Sequence, residues 1–266
     1  MEELFNRKIY QLDVIETNVV EKLDYFYDYR FYEAGHSYCY KSEKVNKSVT
    51  GLVSQFVEPF DEKKWLPKKA KERGISELEL KAEWQKKADI SASTGTLFHR
   101  YMEEGLAGKL YCPETSKVRP DILLDVMGRY DKLVPLANEF IRFSRAHFIP
   151  FKSEFIVGLG SIIAGQIDQI FYNKESKKFD IYDWKTNKEI SCWSVWHKKM
   201  LGPFQSLDEC ELNSYSLQLS IYKWLLEKQG FKIDKLNLVW FNENNKSFMI
   251  MPCKDLSNQV ESIIMQ

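Results

Sequence analysis

The segment at positions 163–188 restricts the fold of this chain more than any other part of it. Residues 163–172 are largely apolar, residues 173–178 are polar, and residues 179–186 are again rich in apolar side chains. Two short apolar runs joined by a polar turn are typical of a β-hairpin. The sequence therefore predicts two antiparallel strands here, around which the other elements pack.

The predicted hairpin brings two carboxylates and a lysine together. Residues two apart on a strand share one face, so Asp183 and Lys185 are expected to project together while Trp184 points to the opposite face. Asp168 lies on the preceding strand and is expected beside them once the hairpin closes.

Carboxylates held this close repel each other and favour a bound cation, and oxygen ligands suit Mg²⁺ or Mn²⁺. The neighbouring lysine offers positive charge to a developing oxyanion. This combination favours metal-assisted hydrolysis of a phosphodiester. The alternative, from these residues alone, is a surface hairpin with a cross-strand pair of aspartate and lysine, because such triplets are common.

Length and composition exclude several classes of protein. The chain has 266 residues, enough for one elaborated domain or two small ones, and 38 basic residues balance 38 acidic ones. Nucleic-acid binding would therefore use local patches. The five cysteines include no C-x-x-C pair, which argues against a zinc ribbon or an iron–sulfur cluster. Without a long apolar run or a signal-peptide pattern, we expect a cytoplasmic protein of a bacterium or a phage-infected cell, with no membrane partner.

An aromatic segment opens the first 90 residues, which exceed what a small core needs. Tyrosine and phenylalanine crowd positions 25–40, and Ala34-Gly35 between them predicts the turn of a hairpin. Its aromatic rings either form the buried face of that hairpin or stack on nucleobases.

A basic helix follows, with Asp61 as its N-cap and Gly74 at its end. It is predicted either to contact nucleic-acid phosphates or to present a solvated face. The lysines expected to make phosphate contacts are Lys63, Lys64, Lys68 and Lys69.

Further helices and strands are predicted in the rest of the chain. Ser76 predicts a helix that ends near Ile90, and a separate helix opens at positions 93–95 and carries His99. The remaining predicted elements are a helical stretch from Pro120 divided by Pro135, a strand at 151–158 with Glu154, a helix at 213–229, strands at 235–242 and 246–252, and a short C-terminal helix.

Four short motifs, each weak alone, occur in an order that resembles the PD-(D/E)XK nuclease superfamily, and within it the RecB-like branch. The motifs are G-x-x-x-H at Gly95–His99, G-x-x-D at Gly165–Asp168, D-x-K-T at Asp183–Thr186 and Q-x-x-x-Y at Gln218–Tyr222. The resemblance covers roughly positions 92–242. Positions 35–38 and 48–50 are similar, less specifically, to phage nucleases and mitochondrial genome maintenance exonucleases.

The resemblance implies roles for individual residues. The implied metal ligands are His99, Asp168, Asp183 and the backbone carbonyl of Trp184, with Glu154 as an additional acid. Lys185 is implied to orient or activate the attacking water and to offset phosphate charge. Residues implied to position the active site or the nucleic acid are Gln218, Tyr222 and Thr186.

The resemblance also departs from the superfamily pattern. Ile167 stands where the superfamily name has proline, which is common in this branch. The four-cysteine cluster of some relatives is missing, so we do not expect their iron–sulfur cluster.

Together these observations predict an α/β fold with a restriction-endonuclease-like αβββαβ core, a mixed sheet flanked by helices, and an N-terminal helical elaboration. We expect one nuclease domain over 1–266, with 1–90 as the elaboration and 91–266 as the catalytic core. The expected activity is Mg²⁺- or Mn²⁺-dependent hydrolysis of DNA. Among nucleases, an exonuclease that acts on single strands in replication, recombination or repair is favoured. The alternatives are an endonuclease of the same fold and a non-catalytic nucleic-acid-binding protein.

Overall fold

The computed structural model of the protein describes residues 22–33 and 35–265. The first 21 residues of the expected domain and Ala34 of the expected turn lie outside the described residues. The single-domain organisation stays a prediction.

The described residues form six α-helices and nine β-strands. The helices are α1 (Val49–Val53), α2 (Glu62–Arg73), α3 (Glu77–Leu106), α4 (Leu123–His147), α5 (Glu211–Lys228) and α6 (Ser257–Ile264). The strands are β1 (Tyr29–Tyr32), β2 (Ser37–Tyr40), β3 (Glu43–Lys44), β4 (Lys47–Ser48), β5 (Phe148–Leu159), β6 (Ile163–Asn173), β7 (Lys178–Lys185), β8 (Ile233–Trp240) and β9 (Met249–Pro252).

A six-stranded mixed sheet forms the centre of the fold. The order β4-β6-β7-β8-β9 combines parallel β4–β6 and β7–β8 pairs with antiparallel β6–β7 and β8–β9 pairs, and β5 pairs antiparallel with β6. The predicted hairpin is therefore confirmed as β6 and β7. The mixed α/β architecture with helices beside the sheet is also confirmed.

Side chains of β7 alternate between two apolar cores on opposite faces of the sheet. Ile181 packs in the larger core, which includes Leu217 and Leu225 of α5. Trp184 packs on the other face against Phe140 of α4, with 5.1 Å between the ring centroids. The predicted opposition of Trp184 to Asp183 and Lys185 follows from this alternation.

The predicted break between two helices near position 91 is wrong, because α3 runs unbroken for 30 residues. The polar residues expected to cap a new helix are accommodated inside it. Thr94 is buried, and the hydroxyl of Thr96 donates to the carbonyl of Ala92, four residues back, over 3.0 Å. The expected boundary between positions 90 and 91 lies within this helix.

The predicted division at Pro135 is also wrong, because α4 continues through it. A proline removes one backbone donor and usually kinks or ends a helix. Here Leu133, Leu136 and Ala137 are buried on either side of it and pack against Phe140 and the sheet. Packing of this face outweighs the lost hydrogen bond.

Before the central sheet, β1 and β2 form the predicted aromatic hairpin. Tyr29 and Tyr38 are buried, and Phe31 and Tyr40 pack against the larger core. Most of these rings therefore serve packing. Among the described residues, no helix combines the length and apolar character needed to cross a membrane.

Candidate active site

The candidate site lies at a gap in the sheet beside β6. One edge of β6 pairs with β5 along its length, while β4 and β7 share the other edge. On that edge β4 pairs with positions 163 and 164, and β7 with positions 169–173. Positions 165–168 are left between the two neighbours, and Asp168 stands where β6 and β7 diverge.

Where β6 and β7 diverge, a hydrogen bond to a side chain replaces the backbone hydrogen bonds between the strands. The backbone N–H of Trp184 donates to Oδ2 of Asp168 over 2.6 Å. This bond holds Asp168 beside Asp183 and Lys185, as the hairpin predicts. Hydrogen bonds from a buried N–H to a carboxylate are strong, so the aspartate is held in a fixed orientation.

Asp183 and Lys185 form a close ion pair on β7. Lys185 Nζ lies 2.6 Å from Asp183 Oδ2, and the two side chains are only 17% and 3% exposed. The ammonium also lies 4.3 Å from the ring centroid of Tyr215. Burial alone would lower the pKa of Lys185, but the charges of Asp183 and Asp168 outweigh it and hold that pKa above its ordinary value. Lys185 is therefore a cation at neutral pH.

The two residues of the Q-x-x-x-Y motif reach the site from α5. Gln218 Nε2 lies 3.4 Å from Asp183 Oδ1 and 3.2 Å from the hydroxyl of Tyr222. Tyr222 is buried next to Gly165 of β6. A Cβ at Gly165 would lie 2.8 Å from Tyr222 Cε1 and 2.8 Å from Val49 Cγ2. The glycine of the G-x-x-D motif thus allows α1 and α5 to pack directly on the strand.

His99 of α3 and Glu154 of β5 complete the site opposite Lys185. His99 Nδ1 lies 3.5 Å from both Asp168 Oδ1 and Glu154 Oε1. One ligand atom from each of these three residues lies within 4.8 Å of the others. Asp183 is not part of this compact group.

Glu154 reaches this position through an unusual backbone conformation. Its φ is +48°, in the left-handed region that costs energy for a side chain other than glycine. Gln166 fixes the carboxylate by donating from Nε2 to Glu154 Oε2 over 2.9 Å. The strained strand residue thus directs one oxygen toward His99 and Asp168.

The donor set fits a divalent cation. Glu154 Oε1 is buried and accepts no hydrogen bond among the described residues, and a buried anionic oxygen requires compensation. Burial and then Asp183 raise the pKa of Asp168 to about 7. Burial lowers the pKa of His99, but Asp168 and Glu154 outweigh it and raise that pKa to about 9. A cation bound here would take the place of these protons.

Three further residues support the site, and no motif pointed to them. Asn187 donates to the hydroxyl of Tyr215, whose ring faces Lys185, over 3.0 Å. Arg129 of α4 donates to the carbonyl of Thr186 over 3.2 Å and pairs with Glu243. A single mid-helix arginine carries no sequence signal for a partner 57 positions away.

The aromatic hairpin also contributes to the site. Tyr38 of β2 is buried, and its pKa is raised to about 12 by burial and then by the charges of Glu154 and Asp168. The sequence signals for it were the rich aromatic composition of positions 25–40 and the less specific resemblance of positions 35–38.

The residues predicted to bind nucleic acid occupy two places. Thr186 directly follows Lys185 at the end of β7. The four lysines lie on α2, where Lys69 forms a 2.7 Å ion pair with Glu72, while Lys64 and Lys68 lie over the ring of Trp65.

Comparison with known proteins identifies the family. The sequence model described as "PD-(D/E)XK nuclease superfamily" matches residues 70–249, more than half of the chain, and this range includes the candidate site. No curated protein matches the chain significantly. A similar solved structure, described as "Crystal structure of SSO0001", is 15% identical with a TM-score of 0.27, and the match covers 57% of this chain and 61% of that one. A likeness of that size does not establish a shared fold, whereas the match to the sequence model establishes the family. The chain belongs to the PD-(D/E)XK nuclease superfamily.

Proposed function

We propose that this protein is a divalent-metal-dependent deoxyribonuclease that degrades single-stranded DNA from a free end. Membership of the superfamily implies a nuclease, and nucleases of this superfamily use divalent metals. The observation that carries the proposal is the placement of Lys185 and Asp183 beside the compact group of His99, Glu154 and Asp168.

The ion would be held by the compact group, with the neighbouring carboxylate of Asp183 as a further proposed ligand. Mg²⁺ and Mn²⁺ are the proposed cofactors, and the imidazole nitrogen of His99 favours Mn²⁺ over the harder Mg²⁺. When bound, the ion supplies Lewis-acid stabilisation to a phosphate oxygen. The backbone carbonyl of Trp184 remains a proposed further ligand.

The protein's own residues supply binding, orientation and charge. Lys185 is proposed to stabilise the negative charge that develops on the scissile phosphate, because its ammonium stays protonated beside Asp183. Gln218 is proposed to hold the carboxylate of Asp183 in place, and Tyr222 to hold Gln218. In this proposal Lys185 acts through its positive charge and does not serve as a base.

Recessed catalytic groups support the choice of a single strand. The side chains of Asp183 and Asp168 are 3% and 10% exposed, and that of Lys185 is 17% exposed. A flexible single strand reaches such a site more easily than a rigid duplex. Exonucleolytic action and a place in the RecB-like branch are part of the same proposal, with a role in replication, recombination or repair.

A nuclease assay with matched substrates tests the proposal. Linear single-stranded DNA, covalently closed single-stranded circles and duplex DNA of the same sequence are incubated with protein and Mn²⁺ or Mg²⁺. We expect fast degradation of the linear single strand, no cutting of the closed circles, slower degradation of the duplex, and no degradation of any substrate in EDTA. A Lys185→Ala preparation, purified identically, controls for contaminating nucleases.

Two outcomes would support the alternatives. Efficient cutting of the closed circles would identify an endonuclease of the same fold. Binding of DNA without metal-dependent cleavage would identify a non-catalytic nucleic-acid-binding protein.

A further inference from the structure

Four large apolar side chains that folding leaves in solvent lie together on one stretch of surface. Phe60, Trp193, Val195 and Trp196 are 67%, 67%, 71% and 76% exposed. With Trp65 they line a groove of about 1,100 Å³ between α2 and the connection at positions 186–210, here called the aromatic groove. Clustered exposed apolar side chains are uncommon on a monomer and mark binding surfaces.

Both walls of the aromatic groove are fixed to each other. The N–H of Leu201 donates to the carbonyl of Phe56 over 2.8 Å, and the N–H of Glu58 donates to the carboxylate of Glu209 over 3.0 Å. Lys198 also pairs with Glu58 across the groove. These contacts tie the segment that precedes α2 to the connection at 186–210, so the two walls are linked without a ligand.

The groove adjoins the candidate active site through the chain. The connection that carries Trp193 and Trp196 begins directly after Lys185. Within the connection, the N–H of Ser191 donates to the carboxylate of Glu211, the first residue of α5, over 3.0 Å. The same helix carries Tyr215 and Gln218. The groove is thus attached to both elements that hold the catalytic groups.

Lysines of α2 place positive charge beside one ring of the groove, whose lining also holds the carboxylates of Glu58, Asp61 and Glu209. The ammonium groups of Lys64 and Lys68 lie 5.6 and 5.1 Å from the ring centroid of Trp65. Each of these carboxylates has a partner: Asp61 caps α2 by accepting from the N–H of Lys64, Glu58 pairs with Lys198, and Glu209 accepts from the N–H of Glu58. Lysines remain beside the rings to meet phosphate groups.

We propose that the aromatic groove is a binding site for unpaired nucleobases, which stack on Trp193 and Trp196 while the lysines of α2 contact the phosphates of the same strand. Alternating stacking surfaces and cations are the means by which proteins bind single strands without sequence preference. The site would hold the part of the strand that lies outside the catalytic centre. The inference rests on the proposed function for the identity of its ligand.

Binding to two oligomers of equal charge tests the inference. A fluorescently labelled dT oligomer of about 20 nucleotides and an abasic oligomer of the same length are titrated with protein in EDTA, which prevents metal-dependent cleavage, and anisotropy is recorded. Because one stacked base contributes roughly 5- to 150-fold in affinity, Trp193→Ala and Trp196→Ala should each weaken binding of dT by such a factor. Binding of the abasic oligomer should change little.

Two further variants make the test specific. Trp196→Phe keeps an aromatic surface and should restore most of the dT binding. Tyr32→Ala removes a 53% exposed aromatic ring on β1, outside the groove, and should leave both affinities unchanged.

Three results would overturn the inference: unchanged dT binding in both tryptophan variants, equal losses for the two oligomers, or equal losses in Tyr32→Ala. If the wild type still degrades single-stranded DNA in those cases, the proposed function stands and the groove does not bind the bases of the strand. A wild type that prefers dT to the abasic oligomer but cuts no DNA contradicts the proposed function alone.

Discussion

The backbone N–H of Trp184 donates to Asp168 Oδ2 at the point where the strands of these two residues stop pairing. The bond uses one carboxylate oxygen for the fold and leaves the other, Oδ1, 3.5 Å from His99. A structural bond and a candidate metal ligand therefore belong to one side chain. Replacing Asp168 would disturb both, so variants at neighbouring positions separate chemistry from folding more cleanly.

Lys185→Ala and Asp183→Asn should each lower cleavage by a factor of about 10²–10³, the usual effect of removing one group that stabilises developing charge. Initial rates at saturating single-stranded DNA measure the loss, and thermal unfolding checks that the variants remain folded. Near-wild-type turnover of Lys185→Ala would contradict the assignment of the site.

His99→Ala and Glu154→Gln should each weaken Mn²⁺ binding by at least about tenfold, because even residues outside the first ligand shell typically cost 10- to 100-fold. Calorimetry of Mn²⁺ binding gives the affinities directly. Glu103→Gln is the matched control, since Glu103 lies one turn beyond His99 on α3 and pairs with Arg100. Unchanged Mn²⁺ affinity in His99→Ala would make His99 a packing residue.

Stability without metal should fall as the pH rises toward 9. The raised pKa of His99, about 9, stabilises the fold below its unfolded pKa of about 6.5, and that contribution disappears as the pH passes 9. The raised pKa of Asp168, about 7, acts in the same direction between about 4 and 7. Added Mg²⁺ should therefore raise the melting temperature more at pH 8.5 than at pH 6.

Thermal unfolding with and without Mg²⁺ at the two pH values measures this difference. In His99→Asn the difference between the two pH values should shrink. An equal Mg²⁺ shift at both pH values in the wild type would show that protons and the ion do not compete at the site.

Gly165→Ala should destabilise the protein by about 1–3 kcal/mol, the usual cost of overpacking a core, because its methyl group would press on Tyr222 and Val49. Gly95→Ala is the matched contrast. Nothing lies within 4 Å of a Cβ built at Gly95 inside α3, so alanine should stabilise the helix by up to about 1 kcal/mol. Chemical denaturation of both variants measures the signs. Equal effects at the two glycines would contradict the packing argument.

Neutralising lysines of α2 should flatten the salt dependence of single-strand binding by roughly 0.7 in the logarithmic slope for each lost phosphate contact. We expect this for Lys63→Gln, Lys64→Gln and Lys68→Gln. Lys69→Gln is the control, because Lys69 is paired with Glu72. Affinities of a dT oligomer at several salt concentrations give the slopes. Slopes equal to that of the wild type in all four variants would place α2 outside the DNA path.

The sequence was informative wherever periodicity decides the structure. Alternation along β7 placed Asp183 and Lys185 on one face, and the spacing of four residues placed Gln218 and Tyr222 together on α5. These arrangements depend on neighbours in the chain, whose geometry is fixed by the strand or helix itself.

Features that depend on distant packing were not predictable. The left-handed conformation of Glu154 is imposed by its surroundings in β5, and the continuity of α4 through Pro135 depends on its buried face. The exposure of Trp193 and Trp196 is likewise a tertiary property, because a tryptophan in an irregular segment gives no sign of which face it will occupy.

The unbroken helix α3 fixes both the distance and the rotation about its axis between a residue at the aromatic groove and a residue at the candidate active site. Trp84, in its first half, contacts Phe60 of the aromatic groove, with 5.9 Å between ring centroids, and His99 faces the acidic site. The two residues are about 22 Å apart along the axis, and one inserted residue would turn His99 by about 100°. Natural or designed variants of this chain should therefore tolerate changes of length in the connection at 186–210 far better than between Trp84 and His99.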